Sequence, residues 1–495
     1  MKSKFGLWKF LVGYWIFSSI PPLAPLPCAA AGWLQVQGGP RHTGCVETPV
    51  APPFKTLWAR NLNDEIIHSA AQVMTDGIRA YAATFHANAY ALEMETGDIA
   101  WQTSLHGPVM SSCALDETKA FFATMYGAVH ALDKTDGKTL WEWNTPDKTG
   151  ISASPCLSGG RMHIGTRGGS FFCLDCATGK VIWERDIGAP VVQTAAMDGE
   201  RVYFGAEDMR AYCLDAGSGE ILWRTDPFSS GQTFRDYWPV VGEKVAIFTV
   251  MPACSWMETF VSRDNFKVED GLVEDENWRD LELKDLGEKI RRLTNYITNN
   301  RQWQSTFVLD KKTGKEAFVL PILYCSGAGC TQTPPAIHRD GTIYFKYLYT
   351  PYGVSPGALL GRAKEDGTGI ESLPGFEQIG GGWGLDALRG PNWKPPAKIT
   401  ALPYCGDQPL VMTLGGDYIY GSCTWDYCPA AYLQLETLDT GGLQSERHPP
   451  PDKGNYVNMN NYECAPGISV CPPYLISRDL GKIICVKSEG SDKNE

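Results

Sequence analysis

Four copies of one pattern dominate the chain: ALEMETGDIAW ending at Trp101, ALDKTDGKTLW at Trp141, CLDCATGKVIW at Trp183 and CLDAGSGEILW at Trp223. Their tryptophans are 40, 42 and 40 residues apart. A fixed period of this size means a supersecondary unit that buries its faces only by stacking on its neighbours. Upstream of the quoted pattern each unit repeats a small-polar strand (VMSSCAL, ISASPCL, VVQTAAM) and an apolar strand (KAFFAT, RMHIGT, RVYFGA). Each period therefore holds four short strands.

The motif residues have physical roles. Asp133, Asp175 and Asp215 precede a tight turn in which Gly137, Gly179 and Gly219 adopt positive φ. The tryptophan that follows is large enough to fill the space between adjacent sheets. Weaker copies continue the pattern. VAIFTV with STFVLDKKTGKEAFVLP forms a fifth unit, TPPAIHRDGTIYFKYLY with GALLGRAKEDGTG a sixth, and ITALPYCGDQPLVMTLGGDYIYGSC with AYLQLETLDTGGLQSER a seventh. The C-terminal region offers three strands, and FKTLWARNL, whose Trp58 lies 43 residues before Trp101, supplies the fourth. The expected fold is all-β: an eight-bladed β-propeller of four-stranded antiparallel blades, the last closed by an N-terminal strand. Closure removes sheet edges that would otherwise pair with other chains.

The A-x-D-x-x-x-G-x-x-x-W copies resemble the pyrroloquinoline-quinone (PQQ) type repeat of quinoprotein alcohol dehydrogenases and of non-enzymatic propellers such as the outer-membrane assembly factor BamB. GWLQVQGGPRHTGC also resembles the W-x-x-x-x-G-x-x-R-x-T-G segment of BamB-like propellers. The resemblance is strong over residues 58–227 and weak after 320, and it specifies fold better than function.

Gly 52, Pro 33, Trp 16, Tyr 21 and Phe 19, with 20% charged residues, suit short aromatic strands between turns rather than long helices. Lys2, Lys4 and Lys9 precede an apolar run from Leu11 to Ile20 and a small-x-small site at Ala29 and Ala31, which reads as a signal peptide over 1–31. Lipidation at Cys28 is the rival, poorly served by Pro27 and Pro25. The propeller is expected over 32–490 and a disordered tail over 491–495. Loss of the three lysines takes the formal charge from −12 to −15, which argues against nucleic acid as a partner. Export would make disulfides possible, and the fifteen remaining cysteines leave at least one thiol unpaired.

The loops leading into the first strands and joining second to third strands open on one rim. That places His68 and Ser69, Ser111 and Ser112, Ser152 and Ser154, Gln193 and Thr194, Arg235, Asp236 and Tyr237, and Gln332 and Thr333 around the channel mouth, with His86, Tyr126, Arg167, Asp208 and Arg210 beside it. Such residues either hydrogen-bond one another in crowded inner strands or line a polar ligand pocket. Trp383, Trp425 and Tyr427 form an aromatic set that stacks on sugars or covers the less regular blades. Residues 262–303 interrupt the fifth unit. Leu283, Leu286, Ile290, Leu293 and Ile297 recur at helical spacing there, so the insert is partly helical, serving as a rim lid or as a decoration on the side.

The resemblance makes a PQQ- and Ca²⁺-dependent oxidoreductase the enzyme alternative, yet the adjacent-cysteine pair of that family is missing. No H-E-x-x-H, G-x-S-x-G or phosphate loop occurs, and the eight histidines show no metal-ligand spacing. A polysaccharide-active enzyme would need paired carboxylates that the sequence does not bring together. The expectation is therefore an exported, non-catalytic binding or scaffold propeller, with no cofactor or metal, serving a protein or glycan partner at its rim.

Overall fold

The computed structural model describes residues 32–63, 65–68, 70–230, 233–234, 237–250, 286–322, 333–348, 358–373, 411–422, 431–435, 440–442, 467–479 and 481–489. The strands form eight sheets. Blades 1 to 4 run over 74–104, 114–144, 156–186 and 196–224, each a four-stranded antiparallel meander. Blade 5 joins Val240–Val241 and Val245–Thr249 to Thr306–Asp310 and Glu316–Phe318 across the insert. Blades 6 and 7 run over 336–372 and 411–442. In blade 8 the strand Phe54–Asn61 pairs antiparallel with Lys482–Ser488, followed inwards by Tyr474–Asp479 and Ser469–Cys471.

The turn glycines have φ of 70° to 75° at Gly97, Gly137, Gly179, Gly219 and Gly314. Each is also covered by the tryptophan of the preceding blade. A Cβ on Gly137 would lie 2.7 Å from the Trp101 ring, and one on Gly179 or Gly219 would lie 2.6 Å from Trp141 or Trp183. The indole nitrogen completes the contact. Trp58, Trp101, Trp141, Trp183 and Trp223 donate to the carbonyls of Met94, Lys134, Cys176, Ala216 and Lys311, each in the turn of the next blade.

The segment from Trp33 to Val46 circles the end of the inner strands where first and second strands turn. Carbonyls of Trp33, Leu34, Pro40, Arg41, Thr43 and Gly44 accept from Thr75, Leu115, Met197, Val241, Ile337 and Leu414, on blades 1, 2, 4, 5, 6 and 7. The Gln35 amide both donates to and accepts from the Leu157 backbone of blade 3. Cys45–Val46 then pairs parallel to the first strand of blade 7. This accounts for the motif: Gly38 has φ +86° under the Trp33 ring, and Gly44 has φ +68° beside Gln37. The axial channel is thus bridged at the end where first and second strands turn.

The amphipathic helix is α1, Leu286–Asn299. Ile290, Leu293, Tyr296 and Ile297 enter the core shared by blades 5 and 6, and the helix packs against the outermost strand of blade 6, Glu371–Ser372. Its described part is a decoration on the side rather than a lid, because its apolar face is already covered. Residues 1–31 and 491–495 lie outside the described residues.

Two outcomes follow. Gly179→Ala should lower the unfolding free energy by about 2–3 kcal/mol, combining positive φ with the Trp141 clash, whereas Gly199→Ala, with φ +60° and nothing within 4 Å, should cost only about 1 kcal/mol in the same denaturant titration. His42, in the circling segment, is buried, and desolvation holds it at about 3 despite a 3.1 Å contact with the Pro239 carbonyl. The unfolded chain takes up that proton near pH 6.5 and the folded chain near 3, so stability falls on acidification through this window by about 1.4 kcal/mol per unit. His42→Asn, which tolerates the φ of 54° found there, should flatten that slope in melts between pH 4 and 7.

Candidate functional site: the open rim

The end opposite the circling segment carries the candidate residues. A ladder of side chains joins the inner strands there. The amide of Gln72 donates to Ser112 Oγ at 2.8 Å, Ser112 to Ser154 Oγ at 3.0 Å and Ser154 to Thr194 Oγ1 at 2.9 Å, linking blades 1 to 4. These small polar residues therefore serve blade-to-blade bonding. Ser111 Oγ, Ser152 Oγ and Gln193 Nε2 are buried with no partner among the described residues. Gln193 Oε1 accepts from the Gly205 amide at 2.6 Å, so only half of that side chain is engaged.

His68 is buried, its Nδ1 accepting from the Ala70 amide at 3.2 Å and its ring tilted on Phe85. Tyr237 is buried. Arg210 is held by the Thr225 carbonyl at 2.6 Å and by Asp208 at 3.5 Å, with Tyr212 donating to the same carboxylate at 2.7 Å, which makes it a strand-start brace. His86 is exposed beside the Ile66 amide. Arg167 is exposed, and its guanidinium has no hydrogen bond or ion pair among the described residues. Arg235, Asp236, Gln332, Trp383, Trp425 and Tyr427 lie outside the described residues.

The rim loops are rigid by construction. Amides at the second-to-third-strand corners donate to the loop leading into the same blade: Phe85 to Ile66, Met125 to Pro108, Arg167 to Gly150 and Glu207 to Pro190, at 2.7 to 2.9 Å. The leading loop in turn donates to the preceding blade, as from Val109 to Thr84, Ile151 to Thr124 and Val191 to Thr166. On this frame Phe85 is 43% and Tyr126 69% exposed, two aromatic side chains that the propeller core does not need.

Histidines scattered in sequence meet in space. His106 Nδ1 lies 3.0 Å and His130 Nδ1 3.5 Å from Glu142 Oε2. Sequence spacing did not show this cluster, since the residues come from the loop after blade 1 and from two adjacent strands of blade 2.

Among the described residues Cys45, Cys113, Cys156, Cys173, Cys176, Cys213, Cys471 and Cys485 form no disulfide, and the other eight cysteines lie outside the described residues. Cys156, Cys173, Cys213 and Cys485 fill small buried strand positions in separate blades or on separate strands, and Cys113 is buried just before the first strand of blade 2. Burial pushes the Cys173 thiol up to about 11 and that of Cys176 to about 12, so neither is a ready nucleophile.

The fold and its repeat define a class: an eight-bladed PQQ-like repeat β-propeller. Within that class, the family model described as outer membrane protein assembly factor BamB matches residues 52–151 and 126–248. The Yersinia pestis protein of that name is 27% identical over 156 residues, covering 29% of this chain and 39% of its own length. A polyvinylalcohol dehydrogenase from Sphingopyxis is also 27% identical, over 161 residues, 27% of this chain and 24% of that protein. The matched region thus spans about two-fifths or less of these relatives. Among solved structures, BamB from Moraxella catarrhalis superposes with a TM-score of 0.51 at 14% identity, covering 88% of this chain and all of the other. No helix among the described residues is long and apolar enough to cross a membrane.

The ladder can be checked directly. Ser154→Ala leaves the buried Ser112 amide without its acceptor and should cost about 1–3 kcal/mol in denaturant unfolding, while Ser158→Ala, at the far end of the first strand of blade 3, should cost under about 0.5 kcal/mol.

Proposed function

We propose that this chain is an exported, non-catalytic propeller that binds a protein partner at the rim of blades 1 to 3, as a scaffold in envelope assembly. The observation that carries the reading is the exposed pair Phe85 and Tyr126 on hydrogen-bonded corner loops, with Arg167 beside them. Aromatic and arginine side chains on a preorganised surface are the usual anchors of protein interfaces, because little conformational entropy is lost when they dock. Similarity to BamB, an assembly factor by name, supports the same class of role. A glycan on the rim aromatics is the other ligand class this surface suits.

A second reading rests on the buried, unpartnered Ser111, Ser152 and Gln193 groups, which a small polar ligand or water would satisfy. They do not fit PQQ with Ca²⁺. Two hydroxyls and a carboxamide provide neither cations for an acidic quinone nor carboxylates for the metal, and Asp236 lies outside the described residues.

A photo-crosslinking amino acid at position 85 or 126 should capture a protein in the native envelope, whereas one at Leu140, equally exposed on an outermost strand, should not. Phe85→Ser with Tyr126→Ser should weaken capture about tenfold or more. Crosslinking equal at 126 and 140, or stoichiometric uptake of PQQ and Ca²⁺ by purified protein, would overturn the reading.

A further inference from the structure

One corner of blade 2 departs from the repeat at two positions at once. Third strands carry an aromatic residue at Tyr90, Phe172 and Tyr212, but His130 in blade 2. His130 pairs in register with Glu142 on the outermost strand, so the two side chains stand on one face. In the connection leading into blade 2, SLHGPV places His106 where the corresponding DIGAPV between blades 3 and 4 has Gly188. We propose that His106, His130 and Glu142 form a binding site for a zinc-class divalent cation, with its remaining coordination open to solvent at the rim.

The geometry is near what ligation needs. One ligand atom from each residue lies within 4.8 Å of the others. Bonds of about 2.0–2.1 Å in a tetrahedral site set ligands about 3.3 Å apart, close to the 3.0 and 3.5 Å separations already present. Two imidazoles and a carboxylate suit zinc, cobalt or nickel rather than calcium or magnesium. Glu142 is held for the task, since Asn144 donates to Oε1 at 2.9 Å and leaves Oε2 facing both rings. His130 is buried and fixed by its strand, while the His106 side chain is 77% exposed and gives the ion a way in. An ion pair alone accounts for His106 against Glu142. It does not account for a second, buried imidazole on the same oxygen in a slot the sister blades fill with an aromatic ring.

Binding also reaches the backbone. His130 Nε2 accepts from the His106 amide at 3.3 Å. Ligation through Nδ1 moves the ring proton to Nε2 and breaks that contact, next to Gly107, against which the exposed Tyr126 ring lies. The site stands independently of the partner reading above.

The test uses the full chain, stripped by chelator and then titrated with Zn²⁺ by calorimetry and with Co²⁺ by visible absorption. His130→Phe and His106→Gly install the residues that sister blades carry, so they should leave the fold intact by circular dichroism. Wild type should bind one equivalent more Zn²⁺ than the double variant, melt higher with Zn²⁺ than without, and show a Co²⁺ spectrum that the double variant lacks. Glu142→Gln, a change of near-equal volume, should weaken that equivalent at least about tenfold. Equal stoichiometry in wild type and double variant, or undiminished affinity in Glu142→Gln, would overturn the proposal.

Discussion

The indole of one blade lying on the glycine turn of the next is the contact on which the propeller depends. A four-stranded blade has two faces to bury and cannot bury either alone. Each tryptophan covers a turn that has no Cβ to obstruct it and donates its only polar group to a carbonyl in that same turn. The glycine is therefore required twice, for backbone conformation and for room. Where the pattern weakens the contact survives in changed form: Phe318 of blade 5 lies over Gly367 of blade 6, which has φ +79°. Degradation of the sequence motif is tolerated because an aromatic disc on an open turn is all the interface requires.

Two further systems stitch the blades near the axis. Residues 33–46 bridge one end, and the Ser112, Ser154 and Thr194 hydroxyls link inner strands near the other. Both immobilise the frame on which the rim loops stand. A surface intended for recognition benefits from that rigidity, since exposed aromatics then dock with little ordering cost. The same frame explains why Arg210 is a brace rather than a ligand-binding group: its partners are the carbonyl and carboxylate of its own blade.

CLDCATGKVIW shows how a repeat disguises its own exceptions. Its two cysteines look like a redox pair in isolation, yet Cys173 is a strand residue in the slot of Ala91 and Cys213. Cys176 holds the slot of Lys134 and Lys311. Those lysines reach back to Asp76, at 2.8 Å, and to Asp198 on the preceding blades, a reach the cysteine lacks. Its carbonyl still accepts the Trp141 indole, so the backbone contact persists while the side-chain contact is lost. The opposite case is His130, whose departure from the repeat looked like noise until the strand register set it against Glu142 and the connecting loop brought His106.

Periodicity, turn chemistry and the tryptophan spacing were sufficient to establish the blades, their number, the position of the insert and its helical character. They could do so because each is a local property, decided by residues within one unit and repeated until chance is excluded. What the inner-strand hydroxyls bond to, that residues 33–46 encircle the axis, that α1 lies on the side of blade 6, and that two histidines and a glutamate share a corner were decided only by the tertiary structure. Those contacts join residues tens to hundreds of positions apart, and the chain carries no local signal for a distance that exists only once the sheets have closed.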